Sequence, residues 1–229
     1  MKNGINFLLL MIFLCVMLAF GYLEANAQTY LPVGPQTNVP VATVTGGGWT
    51  ECYRDVYANF MDADTVLSDC PGSQLMLSCR ETGSSTLTLL AQGNRSDVTF
   101  DTGVNSDVTH IANGVGWYFN NSFDGGFLGG SWGFVRAGDS VAKFNCDTDT
   151  SGANDERLCW HLQGDPGYRC GATEDLFNDS FERIVYMAEP APPTVVSAIP
   201  TLSEWGLIAM AGVLGIVGFI VIRRRKVSA

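Results

Sequence analysis

The chain has 229 residues, of which 46% are hydrophobic, and its acidic residues outnumber the basic ones by 23 to 13. This length suggests one domain or two at most. An acidic chain is poorly suited to nucleic acid, whose phosphates bind Lys and Arg side chains, so we expect no nucleic-acid partner.

The first segment has the composition of a secretory signal peptide. A lysine precedes an apolar run over residues 7–20, and small residues then stand at the positions that a signal peptidase reads. We predict a signal peptide over residues 1–27 with cleavage between Ala27 and Gln28, which makes this an exported chain. An uncleaved anchor helix is the alternative, although the apolar run is short for a membrane span.

The next segment, residues 28–48, contains three prolines, ends in three glycines and has no charged residue. This composition favours an extended linker. We expect the folded body over residues 49–187. Its first part, residues 50–61, could form a short amphipathic helix.

After residue 61 the chain consists mostly of short β-prone runs that Gly, Asn, Asp or Pro separate. The runs cover residues 73–81, 85–93, 96–103, 117–121, 132–138, 157–164 and 181–188. Residues 96–99 and 106–109 share the sequence Ser-Asp-Val-Thr, and the stretch between the copies suggests a hairpin. We predict a mainly β body, an antiparallel sandwich-like domain that disulfides stabilise.

The body contains an even number of cysteines, which in an exported chain predicts a disulfide framework. These cysteines are Cys52, Cys70, Cys79, Cys146, Cys159 and Cys170. The sequence leaves their pairing open. A local bridge between Cys70 and Cys79 would be consistent with a turn and a strand between them. A zinc site is disfavoured because the cysteines are not spaced as close pairs.

Residues 129–133 read Gly-Gly-Ser-Trp-Gly and match the GxSxG pattern of a hydrolase nucleophile elbow. His161, with Asp139 or Asp147, could complete a triad around Ser131. The elbow needs a strand before the serine and a helix after it, and neither neighbouring segment has that pattern. We therefore expect a body without enzymatic activity, with a secreted hydrolase that uses Ser131 as the alternative.

An acidic stretch resembles the start of a calcium-binding loop. Asp147, Asp149 and Ser151 place oxygen ligands at alternate positions, and a glycine follows. Leu158 stands where the bidentate glutamate belongs, so Asp155 could serve only in another loop geometry. A weak calcium site is thus the one cofactor that the sequence suggests, and a polar loop is the alternative.

Residues 119–134 mix aromatic side chains with glycine and asparagine. On a β scaffold, exposed aromatic rings could stack on sugar rings or contact a protein partner. The same rings could instead belong to the core. The sequence identifies no ligand of the body.

The C-terminal segments have the order of a membrane anchor. Residues 188–198 form a proline-rich spacer. We predict a transmembrane helix over residues 205–222, most of which is the apolar run at 207–222. A basic stop follows the helix: Arg223, Arg224, Arg225 and Lys226. By the positive-inside rule, the basic stop remains in the cytoplasm and the body lies on the other side of the membrane.

A short motif precedes this helix: Ile199, Pro200, Thr201 and Leu202, then Trp205 and Gly206. Motif, helix and basic stop over residues 199–226 resemble the IPTL-CTERM family of bacterial sorting signals, which is analogous to the PEP-CTERM signals that exosortases process. The resemblance implies an exosortase-like processing enzyme as a partner. It also implies a stay in the inner membrane, followed by delivery to the outer surface or release. A plain C-terminal membrane anchor is the alternative.

The body more faintly resembles an uncharacterised module of exported bacterial proteins that contains Cys and Trp. The stretches that prompt this are GWTECY (48–53), LMLSCRETGSSTLTLLAQGNRSDV (75–98), ANGVGWYF (112–119), GYRCGAT (167–173) and FERIVY (181–186). This resemblance implies export and no particular activity. The sequence therefore predicts an exported cell-envelope protein with a non-catalytic binding or structural β-domain.

Overall fold

Two five-stranded antiparallel sheets form the body. The computed structural model describes residues 30–103, 107–121, 130–142, 146–147, 154–162 and 166–189. By contacts the chain divides into two units, Met1–Pro190 and Ala191–Ala229, and every described residue belongs to the first. The predicted signal peptide, sorting motif, transmembrane helix and basic stop lie outside the described residues.

The strands, in chain order, are β1 (Gln36–Pro40), β2 (Thr50–Val56), β3 (Gln74–Glu81), β4 (Thr86–Asn94), β5 (His110–Ala112), β6 (Val115–Asn120), β7 (Ser131–Arg136), β8 (Leu158–His161), β9 (Tyr168–Cys170) and β10 (Phe181–Ala188). The described residues also form three short α-helices, α1 (Val41–Gly46), α2 (Ala63–Asp69) and α3 (Arg95–Val98), and a 3₁₀ turn at Asn154–Glu156. The first sheet has the order β1-β4-β3-β10-β2, and the second has the order β5-β6-β7-β8-β9.

The main core lies between the two sheets. The first sheet contributes aliphatic side chains such as Leu75, Leu77 and Val185, and the second contributes large aromatic rings. The indoles of Trp132 and Trp160 meet edge to face, with 5.8 Å between ring centroids. This arrangement confirms the antiparallel, sandwich-like architecture, because the inner faces of two sheets bury one shared apolar layer.

Each sheet is also covered on its outer side. Met76, Ile184 and Tyr186 pack with Val44 of α1 and with Trp49 in a second apolar cluster. A third cluster covers the second sheet and includes Tyr118, Val135, Val141 and Tyr168. Burial on both faces explains why β6 and β8 consist of buried residues throughout, where a one-faced sheet would alternate buried and exposed positions.

From residue 30 onward the N-terminal segment belongs to the fold, where an extended linker was predicted over residues 28–48. β1 pairs with β4, and α1 follows β1 directly. Trp49 Nε1 donates a 2.7 Å hydrogen bond to the Tyr30 carbonyl oxygen. A Cβ atom at Gly47 would lie 2.2 Å from the Tyr30 Cβ, so the glycines permit close packing of two chain segments.

Two other predicted elements are also wrong. Residues 50–56 form β2 instead of a helix, because this Thr-, Cys- and Tyr-containing segment pairs with β10 at the sheet edge. The first Ser-Asp-Val-Thr copy lies at the end of α3, and residues 107–109 belong to no strand, so the two copies do not form a hairpin. The runs at 73–81, 85–93, 117–121, 132–138, 157–164 and 181–188 correspond to strands.

All the body cysteines are paired, which confirms the disulfide framework. Cys52 pairs with Cys70, Cys79 with Cys170, and Cys146 with Cys159. The suggested Cys70–Cys79 bridge is wrong. Cys79 lies in the inter-sheet core, where it meets β9, whereas Cys70 follows α2 beside β2.

None of the helices in the described part of the chain has the length and apolar composition of a membrane span.

Removing the Cys79–Cys170 bridge should destabilise the domain most. This bridge joins the two sheets and closes a separation of 91 residues, so we expect Cys79→Ala with Cys170→Ala to lower the free energy of unfolding by roughly 4 kcal/mol. The matched control, Cys146→Ala with Cys159→Ala, opens a separation of 13 and should cost roughly 3 kcal/mol. Urea unfolding followed by circular dichroism measures both, and an equal or larger loss in the control pair would contradict this ranking.

Candidate functional site

A polar cleft lies at one end of the first sheet. Its volume is about 260 Å³, and its walls come from the N-terminal segment, from the paired ends of β3 and β4, from α3 and from the β5–β6 turn. The lining residues are Leu31, Gln74, Gln92, Gly93, Asn94, Asp97 and Asn113. Four of these seven carry a carboxamide. We call this site the carboxamide cleft.

The β5–β6 turn closes one side of the carboxamide cleft. Asn113 and Gly114 both have positive φ angles, 52° and 73°, between the paired residues Ala112 and Val115. This is the backbone of a two-residue hairpin turn, for which Asn-Gly is a favoured sequence. The Asn-Gly dipeptide was therefore a local signal for this hairpin, and the sequence reading missed it.

Side-chain amide groups dock the turn onto the rest of the body. Asn113 Nδ2 donates to the carbonyl oxygens of Pro32 and Gln92, at 2.9 Å each. Gln92 Nε2 donates to the same Pro32 oxygen at 2.9 Å. The Gly34 amide also donates to the Asn113 carbonyl oxygen, at 2.8 Å. The segment around Pro32 is thus held in place as a wall of the cleft.

These bonds fix which end of each carboxamide faces the protein. The carbonyl oxygens of Pro32 and Gln92 can only accept, so the amide NH₂ groups of Gln92 and Asn113 must face them. Asn94 Nδ2 likewise donates to the Asp97 carboxylate at 3.1 Å. The oxygens of these three amides accept no hydrogen bond from any described residue. Gln74 Oε1 is buried and also has no partner among those residues.

Asp97 is the only charged side chain that lines the cleft. Its Oδ1 lies 2.8 Å from His110 Nε2, and its Oδ2 accepts the bond from Asn94. The His110 ring stacks on Phe100 with 4.4 Å between centroids and 14° between planes. Phe100 remains 49% exposed, so an aromatic surface lies beside the acidic side chain.

Gly93 separates the carboxamide cleft from the core. A Cβ atom there would lie 3.3 Å from Trp117 Nε1 and 3.3 Å from a methyl carbon of Val98. The Trp117 indole is completely buried, and its N–H has no hydrogen-bond partner in the described part of the chain. The Trp117 indole N–H, a donor with no partner among the described residues, therefore lies directly behind the Gly93 wall of the cleft.

The predicted calcium loop contains a buried ion pair instead of an open carboxylate. Arg157 Nη1 donates to both Asp147 carboxylate oxygens, at 2.7 and 2.9 Å, and neither side chain is exposed. Arg169 donates to the Asp147 carbonyl oxygen and forms an ion pair with Glu174 at 3.0 Å. Burial raises the pKa of the Asp147 carboxyl, against the opposing effect of Arg157.

This pairing directs the Asp147 carboxylate towards the two arginines, where a cation would be repelled. The described residues contain no group of three or more His, Cys, Asp or Glu side chains that could hold a metal ion. Asp155 belongs to the 3₁₀ turn and is exposed. Asp149 and Ser151, the other two predicted ligands, lie outside the described residues.

Ser131 begins β7, and β7 pairs it directly with His161 of β8. Both residues are nearly buried, with exposures of 4% and 6%. A strand follows the serine where a nucleophile elbow requires a helix. The GxSxG match therefore does not have the backbone geometry of that motif.

The aromatic rings between residues 119 and 134 that the structure describes belong to the core. Phe119 packs edge to face on Trp132, with 5.3 Å between centroids, and Phe134 does so on Trp117 at 5.4 Å. These rings are therefore not an exposed ligand surface. Residues 122–129 lie outside the described ranges.

In the comparison with protein families, the model for the IPTL-CTERM motif matches residues 197–226. This confirms the resemblance of the C-terminal segment, whose motif is typical of a sorting signal on an exported protein. Neither the curated proteins nor the solved structures contain a match to this chain. The resemblance of the body to an exported Cys- and Trp-containing module thus has no support from these comparisons.

Replacing Asp147 distinguishes a structural ion pair from a calcium site. Asp147→Asn leaves two buried guanidinium groups without their shared acidic partner, so we expect a loss of roughly 3–5 kcal/mol in the free energy of unfolding. The control Asp155→Asn changes an exposed residue and should cost no more than about 0.5 kcal/mol. Urea unfolding with calcium or with a chelator should give the same values. Calcium stabilisation that is present in the wild type and lost in Asp147→Asn would contradict the ion-pair account.

Proposed function

We propose that this protein is an exported component of the bacterial cell envelope, delivered through its C-terminal IPTL-type signal, and that its β-domain is a non-catalytic binding module. The observation that carries the proposal is the IPTL-CTERM match over residues 197–226. In the sequence, a proline-rich spacer separates that segment from the disulfide-bonded domain, whose last described strand ends at Ala188.

The disulfides support export independently of the sorting signal. Bridges of this kind form and persist in oxidising compartments and are rare in the cytoplasm. Cys79 and Cys170 are completely buried, and their bridge joins the two sheets. A domain built around such a bridge is suited to folding after export.

The proposed route begins with cleavage of the signal peptide between Ala27 and Gln28. The helix at residues 205–222 then holds the chain in the inner membrane, with the basic stop in the cytoplasm. Pro200 lacks a backbone donor and favours an extended conformation at Ile199, which is the form that a protease or transpeptidase binds. An exosortase-like enzyme would read this motif and pass the body to the outer surface or the medium.

A binding role is favoured over catalysis because the body offers a cleft rich in hydrogen-bond acceptors. The carboxamide cleft is open to solvent and is lined by neutral amides, with Asp97 as its only acid. Ser131, the one candidate nucleophile, begins a strand and is almost completely buried. The support for a binding module is therefore the open, amide-lined cleft together with the burial of Ser131.

Changing the sorting motif should retain the protein in the inner membrane. We expect replacement of residues 199–202 by alanine to leave a full-length tail in the inner-membrane fraction, because the processing enzyme no longer recognises it. The control Val195→Ala with Val196→Ala alters the spacer and should be sorted as the wild type is. Membrane fractionation and immunoblotting against the body measure the distribution, and sorting of the motif variant that equals the wild type would refute the proposed route.

The Ser131→Ala variant tests the hydrolase alternative. We expect neither the wild-type protein nor the variant to cleave p-nitrophenyl esters or casein, because the serine lacks the elbow geometry. Hydrolysis by the wild type that disappears in Ser131→Ala, with circular dichroism unchanged, would establish the enzyme and end the binding-module proposal.

A further inference from the structure

We propose that the carboxamide cleft binds a saccharide, through hydroxyl groups that donate hydrogen bonds to the amide oxygens of the cleft. This inference deepens the proposed function and rests on it in one respect: export brings the cleft to a surface where glycans are present. The chemistry of the cleft itself comes only from its own residues.

The cleft presents hydrogen-bond acceptors, so a ligand that binds there must supply the donors. The amide NH₂ groups of Gln92, Asn94 and Asn113 are used within the protein, which leaves their oxygens available. Gln74 Oε1 adds a buried acceptor that no described residue satisfies. Gln74 lines the cleft, so a ligand hydroxyl that donates to its Oε1 would supply the partner that no described residue provides.

The charge of the cleft favours a neutral donor over a cation. Asp97 is the single acid, and both of its oxygens already contact His110 or Asn94. The remaining acceptors belong to neutral amides, which would repay little of the cost of removing an ammonium group from water. Sugar hydroxyls are neutral donors and reach the same oxygens at a much smaller desolvation cost.

Size and apolar surface agree with a sugar ring. A volume of about 260 Å³ lies just below the range of roughly 300–1,000 Å³ that is usual for drug-sized ligands. The cleft is thus suited to one ring or to the end of a chain. Leu31, which is 49% exposed, lines the cleft, and the half-exposed Phe100 ring lies beyond His110. Leu31 can cover one C–H face of a sugar while the amides bind its hydroxyls.

Saturation-transfer NMR on protein purified from the envelope tests the inference. The probes are glucose, galactose, mannose and N-acetylglucosamine at millimolar concentration, with putrescine as a diammonium probe. We expect transfer to at least one of the sugars and none to putrescine. Gln74→Met keeps the length of the side chain and removes the acceptor. Asn94→Ala removes an acceptor at an exposed residue whose amide group bonds the Asp97 carboxylate.

Each variant should weaken sugar binding roughly three- to tenfold, the equivalent of one lost hydrogen bond. Asn59→Ala removes a carboxamide from an exposed residue outside the cleft, where its amide donates to Asp55, and should bind as the wild type does. The inference is overturned if no sugar gives a signal, if putrescine alone does, or if both cleft variants bind sugar unchanged. The sorting experiment is independent of these results. A correctly sorted protein that binds no sugar would therefore disprove the saccharide site and leave the envelope function standing.

Discussion

Packing of an aromatic layer against an aliphatic one determines most of this structure. The inner face of the second sheet carries Trp117, Trp132 and Trp160, and the first sheet opposes them with leucine and valine side chains. The indoles are too large to be buried by a single sheet, so both sheets must close on them. The Cys79–Cys170 bridge joins the sheets within this same layer.

The outer coverings of the sheets create the candidate site. α1 and the segment around Pro32 pack on the first sheet. This packing makes the N-terminal segment a wall of the carboxamide cleft. The Asn113–Gly114 turn docks against that wall through amide donors, and the amide oxygens then remain in the space between them. The acceptor-rich character of the cleft is thus a consequence of how the turn is held.

Most strands could be predicted from local patterns, because a β-prone run and its turn residues are neighbours in the sequence. The paired state of the cysteines followed from their even number in an exported chain. The disulfide pairing, the role of residues 30–48 and the cleft depend on contacts between distant positions. Gly47 is an example. The glycine run around it suggests a linker in the sequence, yet in the fold Gly47 lets the chain segment at Tyr30 pack closely against it. The burial of Asp147 against Arg157 was equally hidden, since the loop sequence resembles an open calcium site. The Asn-Gly turn, by contrast, could have been read from the sequence.

In the proposed function, the C-terminal signal delivers one processed, disulfide-bonded domain. The most direct test is the intact mass, before and after reduction, of the protein recovered from the envelope and the culture medium. The proposed route predicts a chain from Gln28 to an end within residues 199–206, with reduction adding the six hydrogens of three disulfides. A chain that still carries the basic stop and ends at Ala229 would contradict it, and would make the tail a permanent membrane anchor.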